Sequence, residues 1–355
     1  MTRVLVDVVI PCYKYAHYLE FCVNSILSQR GVDVRILIVD DCSPDNTPEV
    51  AAKLCAADKR VSYTRNEKNL GLVGTVNRGL MDWATATYTL LISADDAATP
   101  GALARAVSVM ERFPEVGMAY GKAMIVAETS EMAGVPDANE FEYQVISGSE
   151  FLEQCCINWC GVASPAALVR TSVHHLVGGF DPDFPHTCDM DAWMRLATRS
   201  AVAALATTQA YYRRHRENMS IPYTNGPLTD LKMQLQTAAK VLTTWGKDLP
   251  GAEQWLAGMR QRMVNQAFWM AGLCLEQGND AGLGECLAFA TQNSPALWRS
   301  KGWMRFQVKR LVGRKLILAM RRQLKLREAL PYSPFVHGQA FGWMPEFGIR
   351  GAMSV

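Results

Sequence analysis

Apolar residues in the first hundred positions form short continuous runs, and these runs alternate with helical patterns. Continuous runs, unlike alternating ones, are typical of strands that are covered on both faces. The pattern predicts strand, helix, strand twice over, with the segments at residues 4–11, 18–29, 34–41, 61–66, 74–84 and 88–93. This succession predicts an α/β fold with a doubly wound, mainly parallel sheet.

Pairs of acids follow two of the predicted strands. Asp40 and Asp41 end the run VRILIVDD, and Asp95 and Asp96 lie in LLISADDAATP. Doubly wound sheets bind ligands beyond the carboxyl ends of their strands, so we expect both pairs at a ligand-binding rim. Because neighbouring carboxylates repel each other, a bound cation would explain why two of them stand together.

The common glycine-rich phosphate motifs are missing from the sequence. The segment after the first strand, PCYKYAHYLE, contains no glycine, which argues against a G-x-G-x-x-G dinucleotide site, and no P-loop pattern occurs. The phosphates of a bound nucleotide would need another partner. A divalent cation that bridges carboxylate and diphosphate oxygens fits the acidic pairs.

Four segments, in order, resemble the N-terminal half of family 2 glycosyltransferases: VVIPCYKYAHYLEFCVNSILSQ, IVDDCSPDNT, NEKNLGLVGTVNRGL and LLISADDAATPGAL. The resemblance continues through residues 161–197 and 211–220. It implies a GT-A fold and an inverting enzyme that moves one sugar from a nucleoside-diphosphate sugar, with a UDP-sugar favoured. The implied acceptor is a hydroxyl group of a surface glycan or of a lipid-linked glycan. Single additions are favoured because the membrane-spanning helices and the Q-x-x-R-W motif of processive synthases are both missing.

The resemblance also implies which residues bind the nucleotide. Pro11, Cys12 and Tyr13 match the segment that lines the nucleobase pocket. Asp41 matches the acid that accepts a hydrogen bond from the base, which leaves a structural role for Asp40.

A site for Mg²⁺ or Mn²⁺ is implied in the same way. The usual D-x-D-D motif has Ser93 at its first position here, and Asp95 and Asp96 are assigned jointly to the ribose and the metal. Which carboxylate binds the metal stays open. His215, in the H-x-x-N-x-S stretch, matches a histidine that approaches the metal or the diphosphate.

Sugar transfer to a hydroxyl group needs a general base, because the hydroxyl is a poor nucleophile at neutral pH. The resemblance places Asp189 at the base position, and Asp191 is the reserve candidate. Cys188 replaces the first acid of the usual pair, which removes a like charge beside Asp189. A single displacement without a covalent sugar–enzyme intermediate is implied.

Structural alternatives stand beside these assignments. Helix capping explains Asp95, Asp96 and Asp189, an Asx-turn explains Asp41, and simple solvation explains His215. The loss of two family acids also leaves open a non-catalytic relative that binds nucleotide-sugar or glycan as a scaffold.

The charge distribution singles out one segment near the C-terminus. Eleven of the 36 Lys and Arg lie between Arg299 and Arg327, a segment without any acid. The rest of the chain has 25 Lys and Arg and 34 Asp and Glu. Cations interleaved with apolar residues at helical spacing predict a helix on an anionic membrane surface, and the alternative is a helix packed on the acidic remainder of the chain. The predicted organisation is a glycosyltransferase domain at 1–222, a helical extension at 223–298, a basic amphipathic segment at 299–330 and an irregular tail at 331–355.

The remaining composition excludes several classes of protein. Basic charge confined to one segment argues against nucleic-acid binding. No apolar run reaches the roughly 18 residues of a membrane span and the first strand starts near Met1, so we expect a cytoplasmic chain, with the inner face of the cell membrane as a peripheral location. The ten cysteines contain no CxxC pair, which favours reduced core thiols over a zinc site.

Overall fold

The computed structural model describes residues 3–128, 132, 139–219, 228–294, 298, 300–323, 339–342 and 349–354. The chain divides into two compact units. The first unit comprises Met1–Cys155, Trp159–Arg216 and Phe335–Val355, and the second comprises Cys156–Asn158 and Glu217–Pro334. This division does not test the predicted domain boundaries, which stay predictions.

An 11-stranded sheet organises the first unit. Its strands are β1 (Leu5–Cys12), β2 (Asp33–Asp40), β3 (Val61–Arg65), β4 (Tyr88–Leu91), β5 (Ala97–Ala98), β6 (Val116–Ala127), β7 (Glu140–Ile146), β8 (Ala167–Arg170), β9 (Ala201–Arg214), β10 (Ala340–Phe341) and β11 (Ile349–Ser354). The strand order is β11-β7-β9-β6-β8-β4-β1-β2-β3, with β10 beside β6 and β5 beside β9.

Most of the long strands run in one direction. β1 pairs in parallel with β2 and β4, and β2 pairs in parallel with β3. β8 is antiparallel to both β4 and β6, and β6 is parallel to β9. Strands β1 to β4, β6 and β9 therefore share a direction, and β7 and β8 oppose it. The predicted α/β fold with a mainly parallel sheet is confirmed.

Helices of the first unit cover this sheet. They are α1 (Ala16–Leu27), α2 (Thr47–Ala57), α3 (Gly71–Asn77), α4 (Ala102–Arg112), α5 (Gly148–Ile157), α6 (Thr171–Val177) and α7 (Cys188–Ala197), with a π-helical turn at Arg78–Trp83 and a 3₁₀ turn at Ser164–Ala166.

Strand β1 illustrates why the apolar runs are continuous. Val8 and Ile10 pack in one buried cluster with residues of α1 such as Leu19. Val9 points to the other face, where a Cβ atom on Gly79 would lie only 2.3 Å from its Cγ1. Glycine at that position lets the π-helical turn approach the strand, so both faces of β1 are covered.

The second unit is helical where the structure describes it. Its helices are α8 (Thr229–Thr244), α9 (Ala252–Gln277), α10 (Asp280–Asn293), α11 (Lys301–Val312) and α12 (Arg314–Gln323). Gly278 ends α9 with a φ of +73°, and the Asn279 side chain caps α10 by accepting a hydrogen bond from the Gly282 N–H. No described helix is long and apolar enough to cross a bilayer.

The basic segment forms two helices rather than one. Gly313, with a φ of +77°, separates α11 from α12. On the inner side, Phe306 is buried against Phe268 of α9, with 6.0 Å between the ring centroids. Lys309 forms an ion pair with Glu276 of α9. Part of the segment therefore packs within its own unit, and residues 324–330 of the predicted segment lie outside the described residues.

The prediction of an irregular tail is wrong for two described segments. β10 pairs with β6, and β11 pairs with β7 over six positions from Ile349 to Ser354 and forms the edge of the sheet. Gly351 allows this close pairing, since a Cβ atom there would lie 2.5 Å from the Tyr143 hydroxyl oxygen. These two strands pair with β6 and β7, which lie far away in the sequence. The composition of the tail therefore could not predict the pairing.

Candidate functional site

The carboxyl ends of β1, β2 and β4 adjoin at one rim of the sheet. Cys12, the last residue of β1, pairs with Asp40 at the end of β2. Beyond β4 the chain stays beside β1, because the Ala94 N–H donates to the Pro11 carbonyl oxygen at 3.4 Å. The acids that follow β2 and β4 therefore start from neighbouring points of this rim.

Asp40 is bound entirely within the fold. It is fully buried and accepts hydrogen bonds from the Ser43 N–H at 2.7 Å, the Tyr63 hydroxyl at 2.8 Å and Arg65 Nη1 at 3.2 Å. These contacts fix the turn after β2 against β3. They support the structural role expected for this acid.

Asp41 ties a loop to the rim with one of its two oxygens. Oδ1 accepts from Asn66 Nδ2 at 2.9 Å and from the Leu70 N–H at 2.7 Å, while the Asp41 N–H donates to the Cys12 carbonyl oxygen. No described residue donates to its Oδ2. The carboxylate is thus held in place and keeps an acceptor oxygen for a ligand.

The three residues after the core of β1 differ in exposure. Pro11 and Cys12 are buried, whereas Tyr13 is exposed. Burial raises the pKa of the Cys12 thiol to about 12, so it is neutral at physiological pH and unsuited to nucleophilic chemistry. The segment offers a neutral, largely apolar wall at the rim.

Arg213 of β9 lies against the Asp95–Asp96 pair. Its backbone N–H donates to Asp96 Oδ1 at 3.0 Å, and its Nε donates to the Asp95 carbonyl oxygen at 3.1 Å. The guanidinium also lies over the Tyr18 ring, 4.7 Å from the centroid. The sequence analysis did not identify Arg213 or Tyr18, although alternation along YYRRH places Arg213 and His215 on the same face of the strand.

The two acids of the pair differ in environment. Burial, and then the charge of Asp95, raise the pKa of Asp96 well above its usual range, and the amide and charge of Arg213 act in the opposite direction. A proton on Asp96 would relieve the repulsion between the two carboxylates. Asp95, whose Oδ2 lies 3.0 Å from His215 Nε2, is the better candidate for contact with a ligand.

His215 is buried in an aromatic setting rather than solvated. Its Nε2 lies 3.0 Å from Asp95 Oδ2. The ring meets Tyr15 edge to face at 5.2 Å and tilts against Tyr18 at 5.7 Å between centroids. These two tyrosines of the α1 region fix the plane of the imidazole and direct it at the acid.

Asp95 and His215 fit a divalent cation that is shared with a substrate. Bonds to Mg²⁺ are about 2.1 Å, so neighbouring ligands of an octahedral ion lie about 3 Å apart, close to the separation of these two atoms. Within the described part of the chain, no group of three or more His, Cys, Asp or Glu could hold a metal. Two protein ligands suit an ion that is completed by phosphate oxygens and water.

The two acids in the first turn of α7 have different partners. Asp189 is partly buried, and its Oδ1 accepts from the Met190 N–H at 2.7 Å. Asp191 is buried and accepts from Arg195 Nε at 2.8 Å and Nη2 at 2.6 Å. Arg195 also donates to the Val177 carbonyl oxygen, which joins α7 to α6. Because Asp191 serves this buried ion pair, its reserve assignment as a base is disfavoured.

Tyr212 of β9 relates Asp189 to the acid pair. Burial raises the pKa of the Tyr212 hydroxyl, the charge of Asp96 raises it further, Arg214 lowers it, and Asp95 and Asp189 add smaller increases. Because Coulomb interactions weaken with distance, these carboxylates lie close enough to act on one hydroxyl group. No motif in the sequence distinguished Tyr212.

A protein-family model matches nearly half of the chain. Residues 7–175 match the model of glycosyl transferase family 2. The resemblance carried by the motifs of the sequence is confirmed over this segment.

Relatives with sequence similarity cover part of the chain. An uncharacterised protein of Mycobacterium tuberculosis is 31% identical over 56% of this chain and 63% of its own length. An uncharacterised glycosyltransferase of Haemophilus influenzae is 22% identical over 62% of this chain and 68% of its own length. The chain thus spans less than two thirds of the Mycobacterium relative.

Solved structures establish the fold class. S. aureus TarS 1–349 in complex with UDP-GlcNAc has a TM-score of 0.61 at 17% identity, covering 99% of both chains. Mannosyltransferase PcManGT from Pyrobaculum calidifontis, in complex with GDP-Man and Mn²⁺, has a TM-score of 0.54 at 16% identity, covering 88% of each chain. The predicted GT-A type of fold is confirmed.

Substitution of the two acids of α7 should lower stability by different amounts. Asp191→Asn leaves Arg195 as a buried cation without its partner and should lower the free energy of unfolding by about 3–5 kcal/mol. Asp189→Asn, the matched control in the same helical turn, should cost only about 0.3–1 kcal/mol. Urea denaturation of both variants measures the difference, and equal losses would contradict the separation of roles.

Proposed function

We propose that the protein is an inverting glycosyltransferase that moves one sugar from a nucleoside-diphosphate sugar to a hydroxyl group of a glycan or lipid-linked glycan. The observation that carries this proposal is the contact between Asp95 Oδ2 and His215 Nε2 at 3.0 Å, beyond the carboxyl end of β4, on the same rim of the sheet where Asp41 follows β2. The match of residues 7–175 to the model of glycosyl transferase family 2 supports it.

The nucleotide binds at the ends of β1 and β2. Pro11, Cys12 and Tyr13 line the base pocket, where a neutral thiol and an exposed ring suit a planar base. Asp41 Oδ2 accepts a hydrogen bond from a base N–H. A uracil base offers such a donor at N3, and the solved TarS structure with UDP-GlcNAc supports a UDP-sugar as donor.

Asp95 and His215 hold Mg²⁺ or Mn²⁺ together with the diphosphate. The ion, when bound, supplies positive charge that stabilises the departing nucleoside diphosphate. Asp96, next to Asp95 in the chain, accepts a hydrogen bond from the backbone N–H of Arg213 on β9. The Mn²⁺ complex of PcManGT supports a divalent ion at this fold.

Asp189 acts as the general base. Its carboxylate accepts the proton of the acceptor hydroxyl while that oxygen attacks the anomeric carbon and the bond to the diphosphate breaks. A single displacement inverts the anomeric centre. Burial raises the pKa of the neighbouring Cys188 thiol, so this position adds no second negative charge beside the base.

The exposed side of α11 and α12 binds an anionic membrane surface. Apolar side chains at helical spacing are exposed there, and Leu311 reaches 86% exposure. Exposed cations flank them, and each gains about 1 kcal/mol near acidic lipids. The residues of this lipid-facing side are Met304, Arg305, Val308, Arg310, Leu311, Lys315, Leu316 and Met320.

Asp189→Asn should reduce sugar transfer by about 10²–10⁴-fold, because the acceptor proton loses its carboxylate partner. Transfer is measured with a panel of nucleotide-sugars and glycan acceptors, and donor binding by thermal shift with UDP-GlcNAc. Asp183→Asn, an exposed acid in the preceding loop, is the matched control. Unchanged transfer in Asp189→Asn would exclude this base, and donor binding by the unmutated protein without any turnover would favour the scaffold alternative.

Asp95→Asn and His215→Gln should each abolish the extra thermal stabilisation that Mn²⁺ gives in the presence of UDP. Ligand at 100 times its dissociation constant contributes about 2.7 kcal/mol to the folded state, so the loss is measurable. Asp82→Asn, an exposed acid away from the rim, should keep the full effect. Equal Mn²⁺ effects in all three variants would contradict the proposed metal site.

Leu311→Glu combined with Leu316→Glu should lower binding to vesicles that contain phosphatidylglycerol by at least about tenfold, because charge then replaces buried apolar contact. Leu176→Glu alters a comparably exposed leucine on α6 and should leave binding unchanged. Co-sedimentation measures both, and pure phosphatidylcholine vesicles should bind neither. Equal binding of the double variant and the control would refute the membrane surface.

A further inference from the structure

A cluster of three aromatic side chains, Trp159, Tyr212 and Phe341, lies in the first unit. The Phe341 ring contacts Tyr212 edge to face, with 5.7 Å between centroids and an interplanar angle of 88°. It also tilts against Trp159 at 6.2 Å and 34°. All three residues are partly exposed. We call this cluster the aromatic platform.

Small residues form the base of the platform. Tyr212 and Phe341 pack on a buried cluster whose described members are all alanines: Ala123, Ala163, Ala166 and Ala210. Above these short side chains the two rings stay partly exposed. Large aromatic rings that stay partly exposed above a fixed base are typical of ligand-binding surfaces.

The end of the chain supplies one of the three rings. Phe341 pairs with Ala123 through β10, and the Ile125 N–H donates to the Gln339 carbonyl oxygen at 3.0 Å. Gly342, with a φ of +143°, follows at once, and a Cβ atom there would lie 2.9 Å from the Lys122 Cα. Glycine therefore lets the tail run close enough to β6 to seat Phe341.

The platform adjoins the reacting groups. Tyr212 directly precedes Arg213, whose backbone N–H donates to Asp96 Oδ1 at 3.0 Å. Burial raises the pKa of the Tyr212 hydroxyl, and the charges of Asp96, Asp95 and Asp189 act in the same direction. Tyr212 thus joins the aromatic surface to the acids on the donor side and to the base.

We propose that Trp159, Tyr212 and Phe341 form the acceptor subsite, where a pyranose ring stacks on the aromatic platform and presents a hydroxyl group to Asp189. This inference rests on the proposed function and adds the acceptor class, a pyranose unit of a glycan. The C–H face of a pyranose is apolar with slightly positive hydrogens, which complements the negative face of an aromatic ring. Strand β10 is then part of the substrate site.

Phe341→Ala should weaken the binding of simple pyranosides by about tenfold, because the stacking surface is lost. Methyl glycosides of glucose, galactose, mannose and N-acetylglucosamine are the probes, and saturation-transfer NMR measures their binding without turnover. Phe341→Tyr keeps the ring and should retain binding. Phe21→Ala removes an exposed phenylalanine of α1 and is the matched control.

Trp159→Leu provides a second variant, and thermal shift with UDP and Mn²⁺ checks that each variant is folded. In transfer assays the platform variants should raise the KM for a glycan acceptor by about tenfold with a smaller change in kcat. Pyranoside binding that is absent from the unmutated protein, or equal in all variants, would overturn the aromatic platform. Failure of UDP to stabilise the unmutated protein would instead contradict the proposed function, so the two failures are distinguishable.

Discussion

The contact between Arg213 and the Asp95–Asp96 pair is the interaction on which the rest of the site depends. Two adjacent buried carboxylates repel each other, and a strand end offers them little solvent. Arg213 donates to both residues from β9, so it offsets the repulsion and fixes the turn after β4. Burial raises the pKa of Asp96. Asp95 lies beside His215 at a distance suited to a shared cation.

Successive side chains of β9 point to opposite faces, so the strand places different functional groups on its two sides. Arg213 and His215 face the acid pair and the tyrosines of the α1 region. Tyr212, which directly precedes Arg213, points the other way and contacts Phe341, and the charge of Asp189 acts on its hydroxyl group. One strand thus relates the proposed donor, base and acceptor positions, and a change in its register would disturb all three.

The sequence was sufficient to predict the sheet and the rim, because continuous apolar runs and their order determine where strand ends fall. It was insufficient for Arg213, whose acid partner lies 117 residues earlier, and for the tail strands, which pair with distant segments. The ion pair of Asp191 with Arg195 was accessible, since acid and base at a spacing of four meet on a helix.

A crystal structure of the protein with UDP and Mn²⁺ tests the central claim most directly. We expect one Mn²⁺ ion about 2.1 Å from an Asp95 carboxylate oxygen and from a diphosphate oxygen, with His215 Nε2 beside it. Asp96 should still accept its hydrogen bond from the Arg213 amide. An ion or diphosphate bound away from Asp95, with the Asp95–His215 contact unchanged, would contradict it.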